Sequence, residues 1–525
     1  MSHLTKKLFI SVMGACAILA YADTKLGPYE PVTDARLINP EAKNWLMYRG
    51  NYEGWGYSPL EKINAGNVKK LDLAWSFSTG VTEGHQSPPI VNNGYMYVTT
   101  PNGQVIALNA ITGEELWRYK KEIPADLLML HNTNRGVALY GDKVYVATVD
   151  SHLIALDAKT GKVVWDSTVG DVKALSYITL APLAAKGKIL VGSSGGETGV
   201  RGFVAAFDAA SGKEAWRTFM TAAPGEPGGD TWPGDTHKNG GASVWITGTY
   251  DPSTNIAYWG TGNPAPWPTE GRPGDNLYST SVVALDLDTG KIKGHHQYHQ
   301  NDAWDWDEVS APVLIDTEIN GRKVKGAVHA GRNGYLWMLD RQASGKIDYV
   351  NGIPYVYNDV FKSIDKKTGR PTYDKSKTPG MGKAVTFCPS LWGGKDWPPE
   401  AWSPKTKLFY IPANNNLCSE LPAADPVTYK KGDLYIGYPI EGVLGSLRYQ
   451  DDKKPDSIGE LQAWDLNTGK MAWSHKYDRA IWAPLLTTGN TTRSNMMPAD
   501  AALNTPASVI APVPSPVITT STPPD

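Results

Sequence analysis

The 525-residue chain has little cysteine, little phenylalanine and no excess of either charge. Lys and Arg number 51 against 53 Asp and Glu, a net charge of −2, which excludes a protein built to coat nucleic acid or an anionic membrane. Charged residues make up 20% and apolar ones 41%, too polar a mixture for a chain that crosses a membrane repeatedly. Phenylalanine occurs 8 times against 19 tryptophans. With 53 Gly and 38 Pro, that balance points to turns and half-buried strands and away from helical bundles. Cys-x-x-Cys-His is missing, so this polypeptide attaches no c-type haem. No Gly-x-Gly-x-x-Gly follows a strand pattern and opens a helix, which argues against a nicotinamide cofactor.

What is there begins with an address. Lys6 and Lys7 precede an apolar run from Leu8 to Ala20 that is short for a bilayer span. Ala20-Tyr21-Ala22 then places small residues where a signal peptidase reads them, so residues 1–22 are expected to be a secretory signal peptide. No later segment is apolar enough for a membrane span, and the periplasm is the expected compartment. Cys388 and Cys418 are the cysteines left after cleavage. In an oxidising compartment the simplest expectation is one disulfide, with two free buried thiols as the alternative.

One phrase recurs. It reads Asn109-Ala-Ile-Thr-Gly-Glu-Glu-Leu-Trp117, Asp157-Ala-Lys-Thr-Gly-Lys-Val-Val-Trp165 and Asp208-Ala-Ala-Ser-Gly-Lys-Glu-Ala-Trp216. It returns at Asp286-Leu-Asp-Thr-Gly-Lys291, loosely at Asp340–Gly345, and as Asp465-Leu-Asn-Thr-Gly-Lys-Met-Ala-Trp473. Each copy follows a short apolar run such as Leu153-Ile-Ala-Leu156. The pattern describes a hairpin: a strand, an Asx-type turn, a glycine with positive φ, and a second strand carrying a docking Trp. Gly113, Gly161 and Gly212 recur roughly every fifty residues, the length of a four-stranded propeller blade. One large all-β propeller therefore replaces the three or four domains that length alone suggests.

These repeats, with several specific stretches between Asn44 and Trp482, resemble the pyrroloquinoline quinone (PQQ)-dependent alcohol dehydrogenases of the methanol/ethanol dehydrogenase type. The most telling stretches are Gly192-Ser-Ser-Gly-Gly-Glu-Thr-Gly-Val-Arg-Gly202, Gly260-Thr-Gly-Asn-Pro-Ala-Pro-Trp267 and Ala303-Trp-Asp-Trp-Asp307. The resemblance implies an eight-bladed β-propeller of four-stranded blades over residues 23–489, with PQQ stacked near the axis. It implies oxidation of primary alcohols to aldehydes by hydride transfer to metal-bound PQQ, with electrons passed to a separate soluble cytochrome c. By the same resemblance Asp305 is the general base, and Glu197, Asn263 and Asp305 are metal ligands. Gln86, Arg135, Thr179, Ser194, Gly195, Gly196, Ser243, Trp245, Arg332 and Trp482 surround the cofactor, with Trp245 beneath the quinone plane. Asp307, two places after the base, accompanies lanthanide use in the resembled family, so a lanthanide is expected in place of calcium. If the segment is extended, Asp305 and Asp307 face the same way and reach one cation. The histidines at 295, 296 and 299 read as solvated or structural.

The chain also departs from that family. Met129-Leu130 stands where members carry adjacent cysteines, Gln86 stands where many have Glu, and the role of Asp396 is open. From Asn490 to Asp525 aromatic residues and glycine vanish and Pro, Ser and Thr abound. Such a segment cannot bury enough apolar area to offset its ordering entropy. Residues 490–525 are expected to be a disordered tail and the last blade incomplete or lost. Two alternatives to the enzyme follow: a Trp-repeat scaffold without cofactor, or an inactive truncated quinoprotein.

Overall fold

The computed structural model describes residues 26–491 apart from Glu83, Asp126 and Leu128. The expected signal peptide and all but the first two residues of the expected tail lie outside the described residues. The fold is all-β: six four-stranded antiparallel sheets follow one another along the chain as blades, each with its strands in sequence order. Blade 1 comprises Ile90–Asn92, Tyr95–Thr100, Gln104–Asn109 and Glu115–Lys120. Blade 2 comprises Ala138–Tyr140, Lys143–Ala147, His152–Asp157 and Val163–Thr168. Blade 3 comprises Leu183–Ala185, Lys188–Gly192, Phe203–Asp208 and Glu214–Phe219. Blade 4 comprises Thr249–Asp251, Ile256–Gly260, Ser281–Asp286 and Ile292–Gln297. Blade 5 comprises Val313–Ile319, Arg322–Ala330, Tyr335–Arg341 and Ile347–Pro354. Blade 6 comprises Ala401–Ser403, Leu408–Asn414, Gly459–Asp465 and Lys470–Tyr477.

The recurring phrase joins the third strand of a blade to its fourth. In the first turns Asp157 Oδ1 accepts from the Lys159 and Thr160 N–H groups, and Asp208 Oδ1 from Ser211 N–H, the Asx turn expected of these residues. Its glycine has a second task. A Cβ on Gly161 (φ +68°) would lie 2.5 Å from the Trp117 ring, and one on Gly212 (φ +71°) 2.7 Å from Trp165. Each indole thus lies flat on the turn of the following blade and donates to a carbonyl there. Trp117 Nε1 reaches Ala158 O (3.1 Å), Trp165 reaches Ala209 O (3.2 Å) and Trp216 reaches Leu287 O (3.0 Å). Trp75, ahead of blade 1, does the same to Ala110 O at 3.3 Å. The tryptophans are therefore staples between blades, and the apolar inner strands they hold together form a core of fully buried Val, Leu, Ile and Ala.

Two insertions and one plug complete the architecture. The chain between blades 5 and 6 forms a hairpin, Phe361–Ile364 with Pro371–Tyr373. Val385–Phe387 pairs with Leu417–Leu421, which pairs with Leu447–Tyr449. A disulfide joins Cys388 to Cys418 across this small sheet, as the compartment predicted. The N-terminal stretch around Leu46–Gly54 packs against the innermost strands of blades 2 to 5 and fills the axis on one side. Tyr57–Ser58 pairs in parallel with Thr487–Thr488, bringing the two ends of the described chain together.

Candidate active site

A propeller repeats its geometry, so equivalent loops of successive blades meet at the same end of the axis. Two kinds of loop meet here. The segments entering the innermost strands contribute Gln86, His131 and Arg135, Tyr177 and Thr179, Trp245, Asp305 and Asp307, and Asp396 and Trp397. The loops between second and third strands contribute Ser194, Gly195 and Glu197 from blade 3 and Arg332 from blade 5. Together with Trp482 they line a cavity of about 200 Å³. Most residues singled out from the sequence therefore meet in one place. Gly196, Ser243 and Asn263 stand just behind the wall: a Cβ on Gly196 would lie 3.1 Å from Ser243 Oγ, and Asn263 contacts Asp307. His131, Tyr177 and Trp397 also line the cavity and had no motif to announce them.

The electrostatics are lopsided. Glu197, Asp305 and Asp307 share the cavity with Asp396, against Arg332 and Arg135. Arg332 grips Asp396 Oδ1 at 2.5 Å and donates to the Asp305 carbonyl at 2.7 Å. Its distances to the Asp305 and Asp307 carboxylates are 3.9 and 3.7 Å. Burial, repulsion from Asp307 and repulsion from Glu197 push the Asp305 carboxyl well above its ordinary range, with Arg332 opposing. Burial also raises Asp307 to about 7; here Arg332 again opposes and Glu197 reinforces. Burial lowers Arg135 to about 10. For Arg332 burial works against the cation, but Asp396, Asp307 and Asp305 together raise it above the usual guanidinium value.

Asp307 is tightly oriented. Trp245 Nε1 donates to its Oδ2 (2.9 Å) and the Asn263 N–H to its Oδ1 (2.7 Å). One terminal atom of the Asn263 amide lies 3.0 Å from Asp307 Oδ1 and the other 2.9 Å from Trp267 Nε1. Asp305 does not continue an extended strand: its φ is +58°, a left-handed conformation rare for a residue with a side chain. The expectation that the two aspartates align by strand alternation is thus incorrect. Both reach the cavity because the backbone turns sharply between Trp304 and Trp306. His296 and His299 are buried, not solvated, and His299 has a carboxylate partner in Asp302 at 2.8 Å.

Several polar atoms of the wall are left without partners. Gln86 Oε1, Arg135 Nε and Ser243 Oγ are buried with no hydrogen-bond partner among the described residues. Gly195 (φ +96°) admits no side chain, because a Cβ would fall 2.5 Å from Leu175 O, so bare backbone faces the cavity there. Arg135 Nη1 holds Thr179 Oγ1 (2.6 Å), which is 3.2 Å from Ser194 Oγ. Trp245 presents its ring beneath Arg135, whose guanidinium carbon is 4.8 Å from the ring centre. Trp482 stands at the rim, 36% exposed and edge-on to Trp392. The donors for a cation are hard oxygens. Among the described residues no three His, Cys, Asp or Glu are drawn together closely enough to hold one alone.

A six-sheet propeller with such a pocket at one end of its axis defines the class of protein. Residues 45–354 match the β-propeller domain of the glucose/ethanol/alcohol dehydrogenases that use PQQ. The quinoprotein alcohol dehydrogenase PedH of Pseudomonas putida is 38% identical, the match covering 86% of this chain and 78% of that protein. Methanol dehydrogenase subunit 1 of Methylorubrum extorquens is 33% identical over 91% of this chain and 81% of its own length. The lanthanide-dependent methanol dehydrogenase of Methylacidiphilum fumariolicum is 36% identical over 86% and 77%. Among solved structures, a europium-containing methanol dehydrogenase superposes with a TM-score of 0.81 at 34% identity, covering 87% of this chain and 82% of that one. The chain belongs to the PQQ-dependent quinoprotein alcohol dehydrogenases, and it is an enzyme of that type.

Proposed function

We propose that the protein is secreted to the periplasm, where it oxidises primary alcohols to aldehydes and passes the electrons to a soluble cytochrome c. Bound PQQ supplies the electrophile that takes up the substrate hydride, and a cation beside it supplies a Lewis acid. Asp305 is the base that receives the hydroxyl proton; a well-placed base contributes about 10²–10⁴ in rate. Glu197, Asn263, Asp305 and Asp307 hold the cation. Arg135, Thr179, Ser194, Ser243 and Gln86 satisfy the cofactor's polar edge, and Gly195 and Gly196 allow its close approach. Trp245 would offer its ring to the cofactor, Arg332 would place a positive charge beside it, and Trp482 would border the site.

The observation that carries this reading is the three-carboxylate wall of Glu197, Asp305 and Asp307, next to buried polar atoms without partners. So concentrated a negative charge calls for a cation, and the fourth carboxylate, Asp396, is already spent on Arg332. A second aspartate at 307 favours a trivalent ion, since it adds one negative charge to the donor set. Cytochrome c in the name of the related methanol dehydrogenase subunit 1 of Methylorubrum extorquens supports a cytochrome c as the electron acceptor.

Reconstitution tests all of this. Purified protein mixed with PQQ and lanthanum or cerium is expected to gain a quinone absorbance and dye-linked oxidation of primary alcohols. Asp305→Asn is expected to retain the absorbance and lose about 10²–10⁴-fold in kcat. Activity restored by calcium alone would overturn the lanthanide assignment. Absence of both cofactor uptake and alcohol oxidation would overturn the enzyme reading.

A further inference from the structure

Cofactor and cation binding leave unexplained a set of buried polar side chains directly behind the cavity. Asp302, His299, Glu308 and Asn333 are all fully buried. Asp302 Oδ2 accepts the N–H groups of Trp304 (3.2 Å) and Asp305 (3.0 Å), and its Oδ1 accepts that of Trp306 (3.3 Å). These are the bonds that hold Asp305 in its left-handed conformation. On the next loop, Glu308 accepts the N–H groups of Arg332 (3.1 Å) and Asn333 (3.2 Å), and His329 Nε2 lies 2.6 Å from it. One carboxylate therefore shapes the segment carrying the base, and another shapes the loop carrying Arg332.

His299 joins the two. Its Nε2 is 2.8 Å from Asp302 Oδ1, and its Nδ1 is 3.2 Å from Asn333 Nδ2. The Asn333 amide has no freedom to turn, because its Oδ1 accepts from Tyr335 N–H and Trp337 Nε1, both at 3.1 Å. Asn333 Nδ2 thus faces His299 Nδ1 as a donor, with Glu308 Oε1 3.6 Å from the same nitrogen, while Nε2 faces Asp302. The ring is a strap from the base segment, by way of Asp302, to the residue beside Arg332. It follows the outer strand of blade 4 and reaches a loop of blade 5, so it also crosses a blade junction. A buried polar set of this kind is weak as a source of stability, because well-packed apolar side chains of equal volume would serve. What it supplies is a defined geometry.

We propose that His299 is a positioning residue that sets the placement of Asp305 relative to Arg332. This rests on the reading of Asp305 as the base. Three measurements on His299→Leu and His299→Gln test it. In the protein without PQQ, hydrogen exchange of the amides in 302–307 and 331–334 is expected to accelerate in the Leu variant, while exchange in the blade strands stays as in the parent. In the reconstituted enzyme kcat is expected to fall about 100-fold, with KM and PQQ uptake within about threefold of the parent. The Gln variant, which keeps one hydrogen bond, is expected to recover part of that loss. His299→Phe keeps the volume of the ring without its hydrogen bonds and carries the same test if the Leu variant does not fold.

The proposal is overturned if kcat is unchanged in both His299→Leu and His299→Phe. It is also overturned if kcat, PQQ uptake and melting temperature fall together and Gln is no better than Leu, since that is the signature of a packing role. A parent protein that takes up no PQQ refutes the functional reading instead. The exchange measurement still decides whether the strap shapes the two segments.

Discussion

Asp305 and Asp307 show how one burial site gives neighbouring residues different tasks. Asp305 sits in a strained backbone conformation with its carbonyl pinned by Arg332, whereas Asp307 is fixed by Trp245 and the Asn263 N–H. Both carboxyls are pushed upward by burial, Asp307 to about 7. A carboxyl raised in the folded state binds more protons there than in the unfolded chain, so stability is lost as pH rises through the folded value. The cation-free protein is therefore expected to melt at a progressively lower temperature between about pH 5 and pH 8, at up to about 1.4 kcal/mol per pH unit for each proton released. Bound cation is expected to flatten the profile, because it favours the ionised carboxylates. Melting curves across this range, with and without lanthanum, check it; a flat profile in the cation-free protein would contradict the burial argument.

At the scale of the blade, the repeated phrase works as a lock between neighbours. Its glycine is needed both for the positive φ of the turn and for the indole that lies on it. The two requirements can be separated. Gly161 and Gly187 both have positive φ, +68° and +74°, but a Cβ on Gly161 would meet Trp117 at 2.5 Å whereas one on Gly187 would meet only Tyr140 Oη at 4.0 Å. Gly187→Ala is expected to cost about 1 kcal/mol for backbone strain, and Gly161→Ala about 1–3 kcal/mol more for the displaced Trp117. Urea unfolding of the two variants gives the difference directly. Blade 4 shows the same contact in reduced form: Gly294 stands where blades 1, 2, 3 and 6 have Trp, and it packs directly on the Gly345 backbone.

For the whole molecule, the N-terminal segment is what ties the blades across the axis. Arg49 is half-buried and donates from Nη2 to the carbonyls of Glu400 (2.6 Å) and Leu485 (2.7 Å). These bonds connect the plug to the entry of blade 6 and to the end of the described chain, beside the Tyr57–Ser58 and Thr487–Thr488 pairing. Arg49→Met fills similar volume without the donors and leaves two carbonyls unpaired, an expected cost of about 2–4 kcal/mol. Equilibrium unfolding measures it, and loss of PQQ uptake in the same variant would show that the plug also holds the cavity's shape.

The repeat was legible in the sequence because a turn, its glycine and the docking Trp all lie within one local stretch. Local physics determined the strand–turn–strand unit, its recurrence and hence the propeller class. Resemblance to a family, and not local physics, marked Glu197, Asn263 and Asp305; Glu197 and Asp305 line the cavity and Asn263 stands behind its wall. Tertiary structure alone decided the rest. Among the described residues six four-stranded sheets make up the propeller that the resemblance implied, and the Tyr57–Ser58 and Thr487–Thr488 pair joins the ends of that stretch. Asp305 reaches the cavity through a left-handed turn that no alternation rule foretells. His131, Tyr177 and Trp397 join the wall as single residues from separate blades, and His299 connects two loops far apart in sequence. Which scattered residues meet depends on how the blades pack around the axis, and that distance and orientation are set by contacts between elements and not by any one segment of chain.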